Sequence, residues 1–367
     1  MAYSQNMKSH RQASEMSLDL SPTHRQSVDS DSVIKIYVLA AITILFVYLN
    51  ATVAQADFSD TDTYLFYVDS IYFFREPDWW KFEALSKIFM LVMRELARDT
   101  VYSVYIYRYI LILLFPFSLY YIYRRSSWQI LVIALALYGP LLGLITMRAT
   151  PAYILAALAA ISAIEGKWRS IAYVLAGFLF HVSAALAAPA TLLVLALSKY
   201  GVRSVKSRYI YGGFLIFSLL YLIVAAAGVQ YFLDFIGSFS YLSKYSSYIP
   251  SANETAQAAA AAAESKLIHY VFMGAVISLS LFLILKARED QGVEKLFIAF
   301  SMVVYVILFF ASSPVVSLRY SPFFILPALA RIDISFRGGL NTVSSVAIVI
   351  GSAIVFALSL QQVIYAQ

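Results

Sequence analysis

The 367-residue chain predicts an all-α polytopic integral membrane protein, and three observations carry that expectation. Hydrophobic residues make up 61% of it and charged residues only 13%, against roughly half and about a quarter in an ordinary soluble domain. Long apolar runs recur along the chain, with a mean hydropathy of +0.75. The basic residues gather in the short loops between alternate runs. Together these predict about 11 transmembrane helices, several short or broken, around an outward-facing cavity. The absence of cysteine excludes disulfides, thiolate metal sites and a cysteine nucleophile, and four histidines leave little room for zinc. No metal and no cofactor is expected.

Residues 1–32 hold eight serines and no apolar run, so they are expected to form a disordered cytoplasmic tail before a transmembrane domain over 33–366. The first span, Val33 to Ala54, follows basic residues and should run from inside to outside. Ala54-Gln55-Ala56 has the form of a signal-peptidase site, but the long hydrophilic leader favours an uncleaved span. Asn50-Ala51-Thr52 and Asn253-Glu254-Thr255 match glycosylation sequons, a pattern frequent by chance.

An outer segment, 55–100, carries nine acidic residues. Within it, 79–96 places Phe82, Leu85, Ile88, Phe89, Val92 and Leu96 on one helical stripe, which predicts an amphipathic helix at the membrane interface. Further spans are expected at 101–123, 128–146, 151–164, 171–183, 185–198, 209–227, 267–286, 296–313, 316–330 and 340–360, with an outer loop at 228–266. Basic loops flank 171–198 on both sides, so an even number of crossings is expected there, splitting the run near His181 to Ala184. The 151–164 run rises roughly 21 Å against about 30 Å of hydrocarbon, which leaves its outer end, beside Arg148, below the membrane surface. Non-helical backbone at that depth needs protein or a watery cavity for its hydrogen bonds. Alternate sidedness puts 17 of the 27 Lys and Arg residues inside, so the net charge of +6 is mostly topology and does not point to nucleic acid.

Ionisable residues within spans are costly and usually functional. Arg108, Arg148, Arg319 and His181 all fall towards expected outer helix ends, with no Asp or Glu inside a span as drawn. Several guanidinium groups without internal carboxylate partners suit a phosphate or diphosphate, which their planar forks bind through paired hydrogen bonds. The alternative is that each arginine snorkels to the headgroups and anchors its helix. Gly139, Pro140 and Gly143 before Arg148, and Pro151 after it, permit broken-helix geometry. His181 is open to two readings: a hydrogen bond to a neighbour such as Ser183, or proton transfer and sugar contact. Catalytic carboxylates would come from the outer segment, with Asp60, Asp62 and Glu83 as candidates beside aromatic residues. No phosphate-binding glycine loop, dinucleotide fingerprint or Gly-x-Ser-x-Gly elbow occurs.

The stretch from Arg148 to Pro189, RATPAYILAALAAISAIEGKWRSIAYVLAGFLFHVSAALAAP, resembles the EpsG-like and Wzy-type polysaccharide polymerases. In those proteins an arginine opens a short alanine-rich helix, a basic turn follows, and the next helix ends in a Phe-His-x-Ser-Ala-Leu-like sequence. Asp60 to Tyr64, Phe82 to Leu85 and Arg319-Tyr320 are similar to further family positions. Ala149 departs from the pattern, where the family often has glutamine. The resemblance implies a GT-C-like glycosyltransferase of the bacterial inner membrane, acting at its outer face on undecaprenyl-diphosphate-linked oligosaccharides. It implies Arg148 and Arg319 at the diphosphate, Arg108 in support, His181 at the acceptor, and Glu83 or Asp62 as the alternative base. It also implies work alongside a flippase and a chain-length regulator. A flippase of lipid-linked sugars would want a cationic cavity too, but no internal repeat of the transporter kind is evident.

Overall fold

The computed structural model describes residues 22–52, 61–73, 83–200, 212–213, 267–311, 314–332, 351 and 356–357. Among these every regular element is helical. Six helical stretches are long and apolar enough to cross a membrane: Asp31–Thr52, Thr100–Tyr123, Trp128–Ile145, Val182–Lys199, His269–Lys286 and Gly292–Phe309. Two shorter apolar helices, Ala149–Ile164 and Arg169–Phe180, lie among them. The expected runs at 209–227 and 340–360 and the outer loop at 228–266 lie almost wholly outside the described residues.

Helix α1 (Pro22–Thr52) begins inside the segment expected to be a structureless tail. It buries Leu39, Phe46 and Leu49, one face at heptad-like spacing, and leaves Ile36, Tyr37, Ile44 and Tyr48 outward, where lipid would lie. Helix α2 (Thr61–Tyr72) and helix α3 (Ala84–Ala97) come from the acidic segment. The amphipathic helix therefore starts at Ala84, and its expected residues 79–82 fall outside the described ones. Part of the apolar stripe is turned away from the protein: Ile88, Val92 and Leu96 are exposed, while Phe89 packs against Tyr107 and Ser86, Lys87, Met90 and Met93 are buried. An interfacial helix shows this arrangement, with part of its apolar face left for acyl chains.

Helix α4 (Thr100–Tyr123) is capped by Asp99, whose carboxylate accepts the Tyr102 N–H at 2.9 Å. Helix α5 (Trp128–Pro140) runs into a π-helical turn, Leu141–Ile145, so the glycine and proline residues do break the span ahead of Arg148. Hydroxyl groups satisfy the freed backbone. Thr146 Oγ1 donates to the Leu141 carbonyl at 2.8 Å, Thr150 Oγ1 to Leu142 at 2.6 Å, Tyr107 to Met147 at 3.1 Å and Tyr64 to Ile145 at 3.3 Å. Gly143 sits against the Phe46 ring, where a β-carbon would come within 2.3 Å of it.

Helix α6 (Ala149–Ile164) is the axis of the molecule. Its alanines at 152, 156, 160 and 163 are buried, and small side chains at that spacing let neighbouring helices approach closely. Helix α7 (Arg169–Phe180) returns along it, where a β-carbon on Gly177 would lie 3.5 Å from the Ala152 carbonyl. The expected split of 171–198 is found: His181 is extended, a 3-10 turn covers Val182–Ala187, and helix α8 (Ala188–Lys199) follows.

Helices α9 (Leu267–Lys286) and α10 (Gly292–Ala311) are span-length. The expected run at 316–330 is two pieces, α11 (Pro314–Tyr320) and α12 (Pro322–Arg331), because Pro322 starts a new helix after Ser321. Pro322 to Leu329 are all buried. Tyr153 of α6 stacks at 4.7 Å on Phe323, and Tyr123 of α4 donates to the Leu326 carbonyl at 3.0 Å, so α12 is fastened between α4 and α6.

The basic loops meet at one end. Lys35 Nζ reaches the Arg124 carbonyl at 3.4 Å, Arg331 pairs with Glu165 at 3.2 Å, and Gln291 donates to the Arg331 carbonyl at 3.0 Å. Arg148 begins α6 and Glu165 ends it, so roughly 24 Å separates that basic end from Arg148.

Candidate active site at the head of helix α6

Three residues distant in sequence meet where α6 begins. Arg148 Nη1 donates to Glu83 Oε2 at 2.7 Å, and His181 Nε2 stands 3.8 Å from Glu83 Oε1. Glu83 precedes α3, Arg148 follows the π turn, and His181 follows α7. The expectation that the arginines lack internal carboxylate partners is thus overturned for Arg148. Glu83 comes from the outer segment, and no helical periodicity within the spans could have announced it.

The carboxylate is held by more than charge. Tyr67 of α2 donates its hydroxyl to Glu83 Oε2 at 3.2 Å, while its ring lies 4.3 Å from the Arg148 guanidinium. The Tyr64 ring lies 5.8 Å from the same group. Glu83 itself has φ 61° and ψ 30°, in the left-handed region where a side chain costs about 1–2 kcal/mol. Such strain persists only where surrounding contacts over-determine it, and it concentrates at functional sites. Glu83 is 8% exposed, whereas Arg148 and His181 keep 21% and 19%, so this end is reachable from outside.

The backbone N–H of Ser183 donates to His181 Nδ1 at 3.1 Å, and the Ser183 hydroxyl lies 2.6 Å from the same nitrogen. Nδ1 is therefore an acceptor, and a neutral imidazole carries its proton on Nε2, facing Glu83. The first reading of His181 is found: it bonds Ser183, and that bond orients the other nitrogen towards the carboxylate.

Arg148 has five N–H donors, of which Nη1 serves Glu83. Among the described residues its Nε is buried and has no hydrogen-bond partner, an arrangement that costs free energy unless a ligand fills it. Arg108 lies two turns inside α4, not at its outer end, and is fully buried, with Nη1 3.4 Å from Asn50 Oδ1. It does not snorkel, and the sequon asparagine is inside the protein. Tyr64 is within electrostatic reach of both Arg108 and Arg148. Arg319, on α11, is in reach of the Tyr153 hydroxyl, which also senses Tyr64. Arg108 and Arg148 thus share Tyr64 as a neighbour, whereas Arg319 neighbours Tyr153 instead. Asp62 lies in the first turn of α2, and Asp60 lies outside the described residues. Lys87, buried one turn after Glu83, was not singled out from the sequence, where it reads as part of a solvated face. Among the described residues no group of three or more His, Asp or Glu side chains is placed to hold a metal ion.

A sequence profile of the EpsG family matches residues 35–365. The chain belongs to the EpsG family. EpsG proteins are polysaccharide polymerases of the Wzy type, so the likeness carried by residues 148–189 extends over nearly the whole chain. No curated protein and no solved structure matches it. In this EpsG-family chain an arginine, a carboxylate and a histidine gather where a span is broken.

Proposed function

We propose that this chain joins undecaprenyl-diphosphate-linked oligosaccharide repeat units into a polysaccharide, at the outer face of a bacterial inner membrane with its N-terminus cytoplasmic. The observation that carries the reading is Glu83, held in a strained conformation between Arg148 and His181. The acceptor sugar hydroxyl attacks the anomeric carbon of the donor glycan and loses its proton to Glu83. The bond from that carbon to the diphosphate oxygen breaks, and undecaprenyl diphosphate leaves with the electron pair. Arg148 and Arg319 take the charge that grows on the leaving group, and Arg108 stabilises the cluster behind them. Donors set in place for a developing charge favour the transition state over the ground state, and no metal is called upon.

The unfilled Nε of Arg148 gives a phosphate oxygen a place to bind. A diphosphate that draws Arg148 towards itself frees Glu83 Oε2 for the acceptor hydroxyl, so donor binding readies the base. His181 Nε2 orients the acceptor beside Glu83 Oε1. Asp62, on the same short helix as Tyr64 and Tyr67, is the alternative base.

The test is purified protein in proteoliposomes supplied with undecaprenyl-diphosphate repeat units. A ladder of polymer is expected, and Arg148→Ala should reduce it at least about 100-fold with membrane insertion unchanged. Units that cross the bilayer without forming glycosidic bonds would instead make the chain a transporter.

A further inference from the structure

At the far end of α6, a cleft of about 70 Å3, open to solvent, lies between α4, α6, α7 and α12. Four guanidinium groups line it, those of Arg124, Arg125, Arg169 and Arg331, against the single carboxylate of Glu165. That carboxylate is already saturated. Lys167 approaches it at 2.6 Å, Arg331 at 3.2 Å and Arg169 at 3.6 Å. Arg124 and Arg125 are exposed, and neither has an ion-pair partner among the described residues. Arg331 Nε is buried and has no hydrogen-bond partner among the described residues. Basic residues that merely orient a chain need only lie near the headgroups, each on its own loop. Here residues from four helices converge on one hollow lined by four guanidinium groups and one carboxylate, with Glu294 3.7 Å from Arg331 behind it.

We propose that this cleft binds a phosphate-bearing anion between Arg125, Arg169 and Arg331. Guanidinium forks match phosphate oxygens in pairs. The walls favour a phospholipid headgroup as the source of the phosphate. Leu158, Ile161 and Tyr173 give one side an apolar lining, and the cleft opens beside the end of the Thr100–Tyr123 span, next to Arg124 and Arg125. The site is separate from the Arg148 cluster by the length of α6 and does not depend on the proposed reaction.

Native mass spectrometry of the full chain in detergent, titrated with phosphatidylglycerol or phosphatidylcholine and with inorganic phosphate as a soluble probe, tests this. Phosphatidylglycerol is expected to bind about tenfold tighter than phosphatidylcholine, and Arg125→Gln should remove most of that preference. Arg125 makes no ion pair among the described residues, so its loss leaves the fold intact; Arg331→Gln, measured beside it, should have the same effect. Inorganic phosphate that binds with the same arginine dependence, where phosphatidylglycerol shows no preference, would keep the phosphate site and assign it a soluble ligand. Equal binding of the two lipids without phosphate binding, or a preference that survives Arg125→Gln, overturns the proposal. So does a preference lost in Arg148→Ala but kept in Arg125→Gln, which would place the lipid at the other end.

Discussion

The two ends of α6 each hold one glutamate among cations, and they use it in opposite ways. At the head, Glu83 meets a single guanidinium at 2.7 Å, is almost wholly buried, and leans on tyrosines and a histidine. At the foot, Glu165 is shared by Lys167, Arg169 and Arg331 in a setting open to water. Three cations about one partly buried carboxylate that still meets water give little net stability, because solvent screens them and their side chains lose freedom. A buried pair is different: removing one partner leaves an uncompensated charge in a poorly hydrated place, at about 3–5 kcal/mol. The head is therefore a device with matched parts, and the foot is a reservoir of positive charge.

The largest effect that sharpens this comparison is on chain extension. Glu83→Gln is expected to lower the rate of polymer formation by about 10²- to 10⁴-fold, the usual contribution of a general base. Glu165→Gln, assayed alongside, should change it by less than about twofold, as a screened surface pair would. Equal losses would erase the distinction between the two ends. An intermediate effect concerns the break that presents Arg148. Gly143→Ala forces a β-carbon into the Phe46 ring and should destabilise the protein by about 1–3 kcal/mol in detergent melting, with partial recovery in Gly143→Ala/Phe46→Leu.

The smallest effect is electrostatic. Partial burial works against ionisation of Glu165, but the hydrogen bond from Lys167 and the charges of Arg331 and Arg169 outweigh it and hold the carboxyl below its ordinary 4.5. A lowered value in the folded state means stabilisation that is complete above pH 4.5 and lost as pH falls through the folded value. Melting of Glu165→Gln should therefore differ from the native chain by about 1 kcal/mol or less at pH 7, and the gap should close in acid.

Much of the head was readable from residue order. Gly139, Pro140 and Gly143 announce a broken span, and the basic loops on either side of 171–198 require the reversal that sets His181 between helices. What could not be read were meetings between segments. Glu83 is one of three candidate carboxylates in an acidic stretch, with Asp60 and Asp62, and only the folding of α2 and α3 over the end of α6 sets it against Arg148. Arg108 carries no local mark that its partner is Asn50 on α1. Helical periodicity reports which side of a helix is apolar, and on α3 part of that side faces outward, so the contacts made by Lys87 and Ser86 lie on the face that the pattern assigns to water.

The left-handed backbone at Glu83 sets the demands of conformation and chemistry against each other at one position. The backbone there would be most relaxed with glycine or asparagine, and neither carries a carboxylate. Drift towards greater stability would pass through loss of Glu83 together with Arg148, since an apolar pair of similar volume can match or exceed a buried ion pair. On the proposed reaction, a chain that followed that route would be sturdier and catalytically silent. Glutamate at position 83 would then be a constraint that only selection for activity maintains, and the head of α6 the place where improvement of the fold and retention of the chemistry part ways.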